Sequence, residues 1–416
     1  MDQMTSTIAR PVPAAAARAG VELTIHDRLD SVADLWRRFE GEADCTAFQT
    51  FAWHDAWQRT VGAAAGVQPA IVVGTSGNRV LFLLPLAILR RGLIRSLVWH
   101  AAELCDYNAP LLAPDFGDYL AVGDFTTLFE RIRQTIASAP GCAFDRISFT
   151  KMPEMVGAQP NPFMALPTSL NPNGAYSTRL GTNWEEFYNA KRSSTTRRRD
   201  RTKRKRLGDL GEVRFVTART PAEREATLDA LMQQKSKALQ RMGVPDLFAR
   251  ADFRAFYRGL VANPAAIDLV HVSQLEVGST VAAVNLGLIF GGVYYHVLAS
   301  YDADAETARF GPGAAHLHEF MAYAIDKGCH TFDFTIGDEP YKRDWSDAVH
   351  KLHDYRFAAT PQGLVVSSVE NAIASVKRRI KQSPVLWALA VKIRAALGGR
   401  GATRPAETVK AEGEEE

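Results

Sequence analysis

The chain has few cysteines, and none stands in a metal-binding or redox spacing. Cys45, Cys105, Cys142 and Cys329 are scattered over 416 residues, which argues against a zinc site or a disulfide framework and suits a reducing cytoplasm. No apolar run approaches the ~18 residues needed to span a bilayer. The opening "MDQMTSTIARPVPAAAARAG" is rich in alanine but interrupted by arginine and proline. It lacks the continuous apolar segment of a secretory signal, so residues 1–20 read as a disordered leader. The Lys-Ser/Thr of a Walker A loop and the glycine spacing of a dinucleotide fingerprint are also missing, which argues against nucleotide hydrolysis and a Rossmann-type site.

What is present is ordinary in bulk and unusual in one place. With 46% hydrophobic and 23% charged residues, the composition is that of a globular protein, and the length allows two domains with separate cores. The formal net charge is +3, but "KRSSTTRRRDRTKRKR" at 191–206 holds ten Lys/Arg against one Asp. Taking these from totals of 49 and 46 leaves 39 basic and 45 acidic residues. The positive charge is therefore local and points to one anionic partner.

Two similar stretches follow one another. Residues 21–165 read as an α/β unit, with helical spacing in "DSVADLWRRFEGEAD" and "FQTFAWHDAWQRTVG" and strand-like runs joined by a "GTSGN" hairpin turn. The helix "FTTLFERIRQTIA" and the strand "FDRISFTKMP" complete it. The Pro/Asn-rich "GAQPNPFMALPTSLNPNG" marks a boundary. Residues 175–365 repeat the plan. A long basic helix from "WEEFYNAK" to Gly208 or Gly211 leads to the strand "EVRFVTA" and a helix opened by Pro221 and closed by Gly243. "IDLVHVSQLEVG", "TVAAVNLGLIFGG" and "VYYHVLASYD" form an antiparallel meander. "GPGAAHLHEFMAYAIDKG" is a glycine-bounded helix and "CHTFDFTIG" the next strand. Residues 366–416 read as two basic amphipathic helices followed by an acidic disordered end. An apolar stripe with Trp387 and clustered cations suits either an anionic bilayer or the enzyme's own core.

Several stretches stand out for chemistry. In "RFGPGAAHLHEF", Gly311 and Gly313 let the backbone approach a ligand at a helix start, where free N–H groups and the dipole attract phosphate; a glycine-capped helix start without a ligand has the same pattern. "FDFTIGDEPYKRDW", residues 332–345, packs acids, a Lys, a Tyr and a Trp behind a strand. Alternation sets Asp333 opposite Phe332 and Phe334, facing a site if the phenylalanines face the core. In the meander, Asn285 and His296 sit among apolar neighbours. A buried amide needs a partner, either substrate or backbone. In the basic run, Arg197, Arg198 and Arg201 read as a grip on a polyanion. The Arg197-x-x-x-Arg201 spacing also suits a cyclic dinucleotide, and the lack of interleaved aromatics argues against nucleic acid. Tyr107 and Asn108 of "YNAPLL" reach toward the cleft between the halves.

The order meander, glycine-rich turn, helix and strand, closed by Asp333, Phe334, Gly337, Tyr341, Lys342 and Trp345, resembles GNAT acyltransferases of the FemAB-related kind. Within them it resembles the branch called cellulose-biosynthesis-protein-like or BioF2-like. The resemblance covers residues 180–350 well and the first half more loosely. It implies an α/β fold of two tandem GNAT-like domains with mixed, largely antiparallel sheets, followed here by the amphipathic tail. It implies acetyl-CoA as co-substrate, held by Arg309, Gly311, Gly313 and Ala314, and no metal. Lys342 then neutralises an oxyanion or holds a phosphate, though a surface lysine paired with Asp338, Glu339 or Asp344 fits the same spacing. Asp338 and Glu339 serve as bases for an attacking amine, Tyr341 protonates the leaving thiolate, and Asp333 lies beside the acyl group. Arg197, Arg198, Arg201, Asn285, His296 and Trp345 contact the acceptor. The expected activity is N-acetyl transfer to an amino sugar of a cell-envelope or extracellular polysaccharide precursor. The acceptor would be an anionic sugar nucleotide or a lipid-linked sugar, met in the cytoplasm or at the inner membrane's cytoplasmic face. Aminoacyl-tRNA-dependent peptidyl transfer of the FemAB type, and a non-catalytic sensor of a cyclic dinucleotide on the same fold, are the alternatives.

Overall fold

The structure, a computed structural model, describes residues 20–120 and 124–368. The leader, and the tail helices beyond 368, lie outside them. In the first half β1 (Glu22–His26) is followed by α1 (Ala33–Glu40), which buries Trp36 and Phe39. Next comes α2 (Phe51–Trp57), continuing into a π-turn over Gln58–Gly62. β2 (Ile71–Ser76) and β3 (Arg79–Leu84) form the hairpin expected of "GTSGN", with Gly77 at φ +56 as such tight turns require. β4 (Leu86–Arg91) and β5 (Ile94–Trp99) are a second hairpin. α3 (Asp124–Ser138) then crosses to β6 (Arg146–Pro153), which lies parallel to β5.

β7 (Ala175–Arg179) opens the second half. The basic stretch, expected as one helix, is two: α4 (Trp184–Lys191) and α5 (Ser194–Gly208). They break where the Ser193 hydroxyl accepts from the Thr196 N–H at 3.1 Å and caps α5. β8 (Val213–Thr217) leads to α6 (Pro221–Arg241), which starts on a Thr220/Glu223 capping box ahead of Pro221. After α7 (Ala251–Ala262) the meander is β9 (Val270–Val277), β10 (Thr280–Phe290) and β11 (Val293–Tyr301). α8 (Pro312–Asp326) and β12 (Thr331–Ile336) follow. The closing motif is a short helix, α9 (Pro340–Trp345), before β13 (Ala348–His350) and β14 (Leu352–Ala358).

The second half is a seven-stranded sheet in the order β8-β9-β10-β11-β12-β7-β13. Within it β11 and β12 are parallel, joined through α8. The crossover β5-α3-β6 repeats that unit in the first half. The halves are then interlocked. β14, which the sequence reading counts with 175–365, pairs antiparallel with β6 and completes the first half's sheet. Its alternation suits either sheet, so only the tertiary pairing decides which one it joins. One core also runs through both halves, bringing Phe48, Trp53 and Tyr107 against Leu231, Phe256 and Tyr295. Trp53 and Phe256 meet edge to face at 4.9 Å where α2 packs on α7. No helix among the described residues is long and apolar enough to cross a membrane.

Candidate active site

β11 and β12 pair over only three residues, Val293–Tyr295 against Thr331–Asp333, and then part. The cause is in β12. Its register with β7 slips between Tyr176 and Ser177, leaving Phe334 as the extra residue. Next to it Thr335 has φ +60, which is rare for a β-branched side chain. Such a bulge bends its strand away from a neighbour. Two hydrogen bonds hold Thr335 there. Its N–H donates to Asp333 Oδ1 at 2.7 Å and its hydroxyl to the His296 carbonyl at 3.1 Å.

Phe332 and Phe334 are buried in the cluster beneath α8, so alternation turns Asp333 to the opposite face. There it is 8% exposed, at the wall of a cavity of about 540 Å³ between the halves. Thr46, Tyr107 and Gly157 of the first half and Ser177, Tyr295 and His350 of the second also line this cavity. The Tyr107 hydroxyl donates toward both carboxylate oxygens, at 2.8 and 3.0 Å. Asn108, its neighbour, instead donates to the Thr150 carbonyl. Burial pushes the Asp333 carboxyl up to about 7. The Tyr107 and Thr335 hydrogen bonds and Lys342 oppose that rise, while Asp106 adds to it. A carboxyl in this range can both take and return a proton near neutrality.

Lys342 is helical and 4% exposed rather than a surface loop residue. Its ammonium donates to the Ile336 carbonyl at 2.8 Å and meets Glu339 Oε2 at 3.1 Å. This accounts for the spacing of Gly337 and Lys342 in the closing motif. Gly337 has φ +132, and a Cβ on it would lie 2.9 Å from Lys342 Nζ. With two of its three N–H groups used, the ammonium keeps one donor. Three further groups around it were not singled out from the sequence. Burial raises the Asp106 carboxyl against the pull of Lys151 and Lys342. Burial lowers Lys235 of α6, with Glu339 and Lys342 close by. A signal for Lys235 existed: it follows Leu228, Leu231 and Met232 on the buried stripe of α6. Asp106 and Lys151 carried none.

Other candidates are placed differently from expectation. Asp338 is exposed and accepts from the Tyr176 hydroxyl at 2.9 Å. The Tyr341 ring packs edge-on to Phe334, and burial pushes its phenol up. Trp345 is buried against Trp184, Phe187 and Tyr188, with the Arg192 guanidinium 4.8 Å from its ring; it is a packing residue, not an acceptor contact. Asn285 and His296 are also interior groups. Asn285 donates to the Tyr294 hydroxyl at 2.7 Å and its carbonyl oxygen meets His296 Nδ1 at 3.0 Å. Burial keeps His296 neutral, pulled down to about 3.

The glycine turn and the basic run do come together. They share a cavity of about 350 Å³ lined by Trp184, Tyr188, Arg201, Lys203, Gly311 and Ala314. Gly311 has φ +66, and α8 opens without a side-chain cap. Lys203 Nζ lies 3.8 Å from where a Cβ on Gly311 would be. Two further candidates lie off that lining. Arg309 pairs with Glu306 and covers Phe310, and Gly313 abuts the Tyr301 ring. Arg197 also lines this cavity, while its Nη1 donates to the Asn189 and Arg192 carbonyls, at 2.8 and 3.1 Å, and so closes the end of α4. Arg198 is exposed, off this cavity. Among the described residues no cluster of His, Cys, Asp and Glu is arranged to hold a metal ion.

Residues 194–343 match the family model described as an acetyltransferase (GNAT) domain. No curated protein matches the chain in sequence. Among solved structures, FemX aligns with a TM-score of 0.56 at 11% identity, covering 81% of this chain and 97% of FemX. A conserved protein of unknown function from Bacteroides thetaiotaomicron aligns at 0.51 and 12% identity, covering 80% and 99%. L-PGS from Bacillus licheniformis aligns at 0.50 and 12% identity, covering 80% and 96%. At such identities the likeness is one of fold. The protein is a mixed α/β acyltransferase whose second half carries a GNAT domain.

Proposed function

We propose that the protein transfers an acyl group from a coenzyme A thioester to an amine held in the cavity between the halves, with Asp333 as the base. One observation carries this reading: a buried carboxyl raised to about 7 stands where two parallel strands separate. Asp333 takes the proton of the attacking amine, Tyr107 fixes the carboxylate's orientation, and the free N–H of Lys342 supports negative charge nearby. The residues around Gly311 fit a diphosphate, since Gly311, the uncapped start of α8, Arg201 and Lys203 converge there. The donor supplies the activated acyl group, which we take to be acetyl. Ser177, Arg179, Asp347 and His350 give the cavity a polar rim. That rim suits a hydroxylated acceptor such as the amino sugar of a polysaccharide precursor.

A second reading, aminoacyl transfer from tRNA, draws on the exposed Arg198, Arg199, Lys205 and Arg206 of α5, for which no ion pair is found among the described residues. Titration calorimetry separates the two. Saturable binding of acetyl-CoA, weakened in Arg201→Ala/Lys203→Ala, supports the first. Absence of saturable heat with acetyl-CoA, together with tight binding of aminoacyl-tRNA, replaces it with the second.

A further inference from the structure

We infer that a cavity of about 470 Å³ between the starts of α6 and β9 and the end of α8 binds a small oxyanion, a phosphate or a carboxylate. It shares no residue with the cavity that holds Asp333. Arg219, Arg224 and Lys327 line it, against Asp268 as the one carboxylate there. No ion pair is found for any of the three cations among the described residues.

Arg224 decides the matter. It is 4% exposed, its Nε and Nη1 donate to the Val261 and Val270 carbonyls at 3.1 Å each, and its Nη2 is buried with no partner among the described residues. A guanidinium taken out of water without a carboxylate is costly, and an unmade donor adds to that cost. It also stands at the fourth position of α6, near the helix end where the dipole disfavours a cation and favours an anion. The positive field reaches His271, whose imidazole is held neutral by burial first and then by Arg224 and Lys327. The Tyr323 ring stacks on His271 at 4.1 Å and supplies a flat wall. A clamp between α7 and β9 would explain the two carbonyl contacts of Arg224. It would not explain an orphaned nitrogen beside two more unpaired cations. An oxyanion in the cavity would answer all three charges at once.

Thermal unfolding of the full chain tests this with inorganic phosphate and with succinate, each against sodium chloride at matched ionic strength. The expected result is a saturable rise in Tm with at least one of the two anions beyond that in chloride. Phosphate alone would mark a phosphorylated ligand, and succinate alone a carboxylate. Arg219 and Lys327 are exposed, so Arg219→Ala/Lys327→Ala should fold and need at least tenfold more anion for the same rise. Arg224→Met should lose the response, read against its own Tm without anion because the Val261 and Val270 carbonyls lose their donors. The inference is overturned if neither anion exceeds chloride, or if these variants respond as the wild type does.

Discussion

Asp333 and Lys342 lie nine positions apart, and burial acts on both. For Asp333 the folded carboxyl at about 7 stands above its ordinary 3.8, so the folded state holds that proton more tightly than the unfolded one. Its contribution to stability is full below about pH 4 and is lost as pH rises through 7. Asp333→Asn should therefore raise the unfolding free energy at pH 8, by at most about 4 kcal/mol from ~1.4 kcal/mol per unit. The same change should lower kcat roughly a hundredfold to ten-thousandfold. Catalysis needs the ionised form, so wild-type kcat/KM should fall as pH drops below 7. Tyr107→Phe, which removes a bond favouring the carboxylate, should move that limb to higher pH. A pH profile unchanged in both variants would remove Asp333 from the reaction. Lys342→Ala should cut kcat roughly tenfold to a thousandfold. Its burial and its bond to Ile336 add a stability loss of ~1–3 kcal/mol, which chemical denaturation would measure.

The bend of β12 belongs to the scale of the element. Thr335 at φ +60 and Gly337 at φ +132 turn the strand's end so that the Ile336 carbonyl meets Lys342. Gly337→Ala puts a methyl group against Lys342 and Glu339 in a backbone region that alanine avoids. It should destabilise the fold and lower activity together, measured by Tm and kcat. α5 makes the opposite case, since its exposed cations do little for the fold. Arg201→Ala/Lys203→Ala should leave Tm within a degree or two and weaken binding of the anionic donor. The loss should shrink as salt screens the site. An affinity unchanged at low salt would reduce the run to a solubility feature.

For the whole molecule, the exchanged strand sets what can be separated. A chain ending at residue 350 lacks β14, so β6 loses its partner and exposes a row of unpaired backbone groups. That truncation should be insoluble or unfolded, as judged by far-UV circular dichroism and gel filtration. Acid should act through the histidines. His54, His100, His271, His296, His316 and His318 are all pulled down, each first by burial. His54 and His100 even face each other, with Nδ1 atoms 2.8 Å apart. Groups depressed in the fold stabilise it above their unfolded value near 6.5, and that stability is lost as pH falls below it. Six such groups outweigh the carboxyls that burial raises, Glu40, Glu103, Asp106 and Asp333, so Tm should fall between pH 7 and pH 5.

The sequence alone determined the repeated α/β plan, the meander, the capped start of α6, the local basic run and the motif around Lys342. Each of these is written in short-range signals: period, caps, turn residues and charge density. It also set Asp333 opposite two phenylalanines. Only the tertiary structure decided that Tyr107, 226 residues away, would hold that carboxyl. The same holds for β14 crossing to the other half, and for Asn285, His296 and Trp345 being interior. The physical reason is common to all three. A polar or aromatic residue on a half-buried strand or helix has the same local pattern whether it faces a substrate or a partner. The choice is made by packing between segments distant in sequence, which no local period records.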